Sequence, residues 1–153
     1  MADFHYSAKG NAFHLHDYGI DAWTNATFFL GLAEWSSIAR EPEPYREWLR
    51  EKGEQMNWQL PRNFIHHPQY GMYHADELCI GQFYLAMYDC YQDKEMMEDT
   101  RQRLDAIIAN PPKPDMSYLN KQAWTWCDAL FMTPPVYARM AAITQASTSP
   151  SIM

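Results

Sequence analysis

Apolar residues recur along this chain at the three-and-four spacing of α-helices, and no segment competes with the two-residue alternation of a strand. Trp23, Ala26, Phe29, Leu30 and Ala33 share one face of a helix predicted over about 20–38, with Asp21 placed to cap its start. Glu41-Pro-Glu-Pro44 breaks that helix. A second helix, over about 45–56, has a narrow apolar face of Tyr45, Trp48 and Leu49 and is otherwise charged, so it is expected to lie at the surface. Residues 57–74 carry Pro61, Pro68 and Gly71 and read as a loop. The third helix, over about 76–91, is apolar almost all round and is expected to be buried on several sides. The fourth, over about 93–109, is amphipathic, with Met97, Thr100, Leu104, Ile107 and Ile108 as its stripe. A last helix over about 134–144 is announced by Thr133 as N-cap and Pro134 in its first turn.

Buried and exposed helices therefore alternate. Thr24, Asp76 and Asp128 fall 52 residues apart, each near the start of a buried helix. A repeat of that length is an αα-hairpin with an inner and an outer helix. Such hairpins bury their inner faces only by stacking, in an open solenoid or in a closed α/α ring. Periodicity does not choose between these. The expectation is all-α, with residues 1–144 as a partial barrel domain and 145–153 as a disordered tail.

Composition narrows the partners. There are 19 acids against 12 bases, a formal net charge of −7, which is a poor match for nucleic acid. No apolar run is long enough for a transmembrane helix, and the first twenty residues have no signal-type apolar core. Cys79, Cys90 and Cys127 are odd in number and not in CxxC spacing, which favours a reducing, cytoplasmic setting. Aromatic residues make up 15% of the chain, more than a core of this size obviously needs.

The chemistry concentrates at the inner-helix starts. Asp76 and Asp128 occupy equivalent repeat positions, so in a ring both carboxylates would face one opening with Trp23, His74, Trp124 and Trp126. Two carboxyls in unlike environments suit proton transfer to and from a sugar. Indoles offer flat apolar faces to sugar C–H groups. The simpler alternative is that each Asp only caps its helix and each Trp only packs. His14, His16, His66, His67 and His74 show no metal-ligand spacing, so a metal site is not expected.

Several motifs together resemble glycoside hydrolase family 105, the unsaturated rhamnogalacturonyl hydrolases. They are Asp21-Ala-Trp-Thr-Asn25, Trp48-Leu49 with Gly53-Glu54 and Asn57-Trp58, His74-Ala-Asp-Glu-Leu-Cys-Ile-Gly-Gln82, and Trp124-Thr-Trp-Cys-Asp-Ala-Leu-Phe-Met-Thr-Pro-Pro135. They run in the family's order from residue 19 to about residue 144. The resemblance implies an (α/α)6 barrel, of which this chain would be about half. It implies hydration of the C4=C5 double bond that pectin lyases leave on a terminal galacturonyl residue. The hydrated sugar then opens and releases a rhamnose-ended product, without metal or cofactor. By motif, Asp128 is the implied general acid/base and Asp76 its partner. Trp126 is an implied sugar contact, with Trp124, His74, Trp23 and Asn25 as further pocket residues.

Two departures stand out. The acidic pair of the second motif is Asp76-Glu77 here, and family members are more than twice this long. The chain reads as the N-terminal part of a truncated frame. A non-catalytic carbohydrate-binding or self-associating half-barrel is the alternative.

Overall fold

The computed structural model describes residues 19–62, 71–111 and 126–148, and among these every regular element is helical. The elements are α1 (Trp23–Ile38), α2 (Glu43–Gln55), a 3-10 turn (Gly71–Tyr73), α3 (Ala75–Tyr91), α4 (Glu95–Ala109), α5 (Ala129–Met132) and α6 (Pro134–Thr148). Helix α3 is the hub, packing against α1, α4, α5 and α6. It is buried along an unbroken run from Leu78 to Met87, as its all-round apolarity requires. Helices α2 and α4 are the amphipathic outer layer, each with charges on its solvent side.

Cross-helix bonds establish how the inner helices run. Gln82 Nε2 donates to the carbonyls of Phe131 (2.7 Å) and Met132 (3.3 Å), 49 and 50 residues further on. A full two turns later on both helices, Arg139 Nε donates to Asp89 Oδ2 at 2.9 Å, again 50 residues apart. Residue numbers rise together, so α3 and the α5–α6 unit are parallel in a register close to the sequence repeat. Arg139 also lies 3.8 Å from Glu34 Oε1 on α1, tying all three inner units at their C-terminal halves.

The core is aromatic. Phe29 of α1 meets Phe83 of α3 at 5.2 Å between ring centroids and Trp48 of α2 at 5.8 Å. Trp58 stands edge-on to Tyr84 at 5.5 Å. Much of the aromatic excess is therefore packing, and Trp48 and Trp58 are both buried. Trp58 reaches the core through an uncommon turn after α2: Asn57 and Trp58 both have positive φ, 51° and 54°. This left-handed pair is costly for an indole-bearing residue. It is held because Trp58 N–H donates to Gly53 O at 3.0 Å and the six-membered ring of the indole lies against Gly53.

The segment that follows is strapped to the hairpin. Tyr84 Oη donates to Gln59 O at 2.9 Å, Leu60 N–H to Asp99 Oδ2 at 2.8 Å and Arg103 Nη2 to Pro61 O at 3.1 Å, while Arg62 pairs with Asp99.

Several boundaries differ from those expected. Helix α1 starts at Trp23, and its N-cap position is Ala22, which provides no side-chain cap. Asp21 thus lies one residue ahead of the cap position. The buried stripe of α4 is Met96, Thr100, Arg103, Leu104 and Ile107, while Ile108 is exposed. A cation joins the stripe because its guanidinium has the Pro61 carbonyl to bond. The third inner unit is broken: α5 ends at Met132 with Thr133 as its C-cap, and Pro134 and Pro135, which have no N–H to donate, begin α6 afresh. Helix α6 continues to Thr148, beyond the expected end at 144 and into the segment expected to be a tail. None of the helices described is long and apolar enough to cross a membrane.

Candidate active site at the inner-helix starts

Parallel inner helices bring their N-terminal ends to one end of the molecule. That end carries Trp23 on α1, His74 and Asp76 on α3, and Trp126 and Asp128 at the start of α5. His74 and Asp76 are directly associated: Nε2 and Oδ2 are 3.9 Å apart, an ion pair when the imidazole is protonated. His74 is buried, whereas the Asp76 side chain retains 36% exposure. Asp128 occupies the N-cap position of α5, yet it forms no side-chain cap bond and is exposed. The simple capping role is therefore not what its carboxylate performs. Trp126 and Trp23 are exposed, at 72% and 41%. Indoles left open to solvent at the inner-helix starts contrast with the buried Trp48 and Trp58.

Asn25 is placed differently. It is buried, and its Nδ2 donates to Gly19 O at 2.7 Å, closing the turn that leads into α1. It shapes the entry to the first inner helix from beneath. Trp124 lies outside the described residues, as do His14, His16, His66 and His67. No group of three or more His, Cys, Asp or Glu side chains suited to a metal ion occurs among the described residues.

Glu77 is the residue whose importance sequence reading missed. It follows Asp76 in the first turn of α3, and one step along a helix turns it by about 100°. It is half-buried, and its Oε2 is shielded from solvent without a hydrogen-bond partner. Desolvation raises its pKa from 4.5 to about 7; Arg103 opposes that rise, and Asp21 and Asp76 add to it. The action of Asp21 on Glu77 carries the acidic character of the mouth from α3 to the turn before α1. Asp21, Asp76 and Glu77 thus form an acidic group that spans two inner helices.

This shift has a consequence for stability. The folded carboxyl holds its proton up to about pH 7, while the unfolded one ionises near 4.5. The folded state therefore loses stability as pH rises from about 4.5 to about 7, and none is lost to this group below that window. Glu77→Gln is expected to stabilise the protein by about 1 kcal/mol at pH 8, after discounting for partial solvation, and by almost nothing at pH 4.5. Thermal melts at the two pH values check this. Equal effects at both would mean that Glu77 ionises normally.

A separate cleft of about 540 Å³ opens between the end of α2 and α4, lined by Glu54, Asn57, Trp58, Gln59, Glu95, Glu98, Asp99 and Gln102. None of the candidate site residues lines it.

An all-helical repeat whose parallel inner helices begin at one end of the molecule defines part of an α/α-hairpin fold, with acids and open indoles at that end. Comparison with known proteins agrees. The chain belongs to Glycosyl Hydrolase Family 88, whose model matches residues 2–149. It is 26% identical over 136 residues to an unsaturated 3S-rhamnoglycuronyl hydrolase of Alteromonas sp. (strain LOR), covering 80% of this chain and 31% of that protein. It is 28% identical over 121 residues to the protein of the same description from Formosa agariphila, covering 74% of this chain and 30% of that one. The chain thus spans about a third of the length of these curated relatives. A solved structure described as a polysaccharide lyase matches 94% of this chain and 41% of its own, with a TM-score of 0.67 and 21% identity. That likeness establishes the fold, the αα-hairpins of part of an α/α barrel.

Proposed function

We propose that this chain supplies the acid-bearing wall of an unsaturated uronyl hydrolase. In this reading Asp128 protonates C4 of a C4=C5 unsaturated uronyl residue and then takes a proton from the water that adds at C5. Atoms balance as one water added across the double bond. The product is a hemiketal, which opens and releases the adjoining sugar. Asp76, steadied by His74, orients the water or tunes Asp128, and Trp126, Trp124 and Trp23 stack on the sugar. Asn25 contributes by fixing the turn beneath Trp23. The observation that carries the reading is the exposed, uncapping carboxylate of Asp128 on an inner unit parallel to the one that bears Asp76.

The aglycone is a rhamnose-ended sugar. The pectin-derived galacturonyl substrate suggested by the motifs and the rhamnoglycuronyl substrate in the relatives' names share the unsaturated uronyl ring. The test is loss of the near-UV absorbance of the conjugated double bond when either disaccharide is mixed with the protein. Turnover of one or both is expected; an unchanged absorbance with both contradicts the reading.

A second reading, a carbohydrate-binding or self-associating half-barrel, is favoured by one observation. Trp126, Leu130 and Phe131 expose large apolar side chains together around α5, at 72%, 74% and 47%. Such a face favours association with a second copy. Light scattering distinguishes this reading, which predicts a mass above 18.0 kDa that falls toward that value in Leu130→Lys.

A further inference from the structure

We propose that Glu77 is a positioning residue for Asp76: set beside it in the first turn of α3 with one carboxyl oxygen shut off from solvent, its carboxyl sets how much negative charge stands beside Asp76 and so how well that mouth admits an anionic sugar. The inference rests on the uronyl-binding reading for its ligand, but its first test does not.

Two adjacent acids meet different fates. Asp76 keeps solvent contact and the nearby His74 imidazole. Glu77, a third of a turn away, is half-buried, with Oε2 cut off from both water and hydrogen-bond donors. A buried carboxylate without donors is costly, so the proton is the cheapest partner available. The charged groups acting on it are Arg103 from α4, Asp21 from the turn before α1, and Asp76 on its own helix. Two of these three are acids. The one cation, Arg103, is buried and already donates to the Pro61 carbonyl. Asp99 and Arg62 lie behind it, paired with each other.

Protonated Glu77 leaves Asp21, Asp76 and Asp128 as the acids of this end. Ionised Glu77 adds a negative charge directly beside Asp76, in the first turn of α3. That charge repels a uronate carboxylate and also discourages ionisation of Asp76. Because Glu77 titrates near neutrality, uronate affinity falls as pH rises through that range. Proton transfer here is simple acid dissociation to water and requires no other reactant.

The first test is a side-chain carboxyl NMR titration of the whole chain. In the wild type, the Asp76 signal is expected to show a second inflection at the pH where Glu77 itself titrates. Glu77→Gln is expected to abolish that inflection, while Glu77→Asp, which keeps a carboxyl, restores it. An Asp76 curve unchanged in Glu77→Gln overturns the proposal. The second test is binding of an unsaturated uronyl disaccharide at pH 6 and pH 8. The wild type is expected to weaken about three- to tenfold between them, and Glu77→Gln not at all. A neutral rhamnose disaccharide controls for general loss of the site. Equal weakening in both proteins overturns the gating role. Failure of the uronate to bind at either pH, with the Asp76 inflection intact, contradicts the uronyl reading and leaves the Glu77–Asp76 coupling established.

Discussion

Asp128→Asn is expected to lower turnover of an unsaturated uronyl disaccharide by about 10²- to 10⁴-fold, the span typical of removing a general acid/base. The amide keeps the shape but neither gives nor takes a proton at the working pH. The expectation is sharpened by what the residue does not do. It sits at the N-cap position of α5 without a side-chain cap bond, and it is exposed. Stability should therefore change by less than about 0.5 kcal/mol, as for surface substitutions generally. A matched pair of thermal melts and absorbance assays checks both halves. Undiminished turnover removes Asp128 from its role, and a large loss of stability would reassign it to the fold.

Gly53→Ala is expected to be strongly destabilising for the addition of a single methyl group. A Cβ at this position would stand 2.0 Å from Cη2 and 2.1 Å from Cζ3 of Trp58. The indole has no room to yield, since its ring is buried against Phe83 and Tyr84. Its backbone is already committed to the left-handed turn that donates to Gly53 O. Expelling the ring forfeits much of what a Trp→Ala change in a core costs, about 3–5 kcal/mol. The better helix propensity of alanine returns at most about 1 kcal/mol. A net loss of about 2–4 kcal/mol is expected in denaturant unfolding. The same variant should shift the Trp58 fluorescence toward that of a solvated indole. A loss below about 1 kcal/mol would show that Trp58 can tilt aside.

Helix positions were readable because a 3.6-residue period is a local property of the chain. The 52-residue spacing of Thr24, Asp76 and Asp128 translated directly into parallel inner units, since Gln82 and Arg139 bond across at offsets close to it. What escaped reading depended on partners distant in sequence. Asp21 looked like a cap, but the chain turns one residue later, where Asn25 ties down Gly19 O. Arg103 looked like a solvent charge until the Pro61 carbonyl came to meet it. Glu77 looked like no more than a departure in the acidic pair beside Asp76, because no local pattern encodes its burial. The aromatic excess divided in two: Trp48 and Trp58 went into the core, while Trp23 and Trp126 stayed open at the inner-helix starts. Motif resemblance pointed to all four, and only packing separates the two pairs.

The tryptophans offer the most direct test of where the sugar binds. Their indole N–H signals can be followed by NMR during titration with an unsaturated uronyl-rhamnose disaccharide. Trp23 and Trp126 report on the inner-helix starts, Trp48 on the core, Trp58 on the core and the outer cleft, and Trp35 on the far end of α1. The account predicts that Trp23 and Trp126 shift together, saturably, while Trp35, Trp48 and Trp58 stay in place. Shifts confined to Trp58, or to Trp35, would place the sugar elsewhere and contradict it.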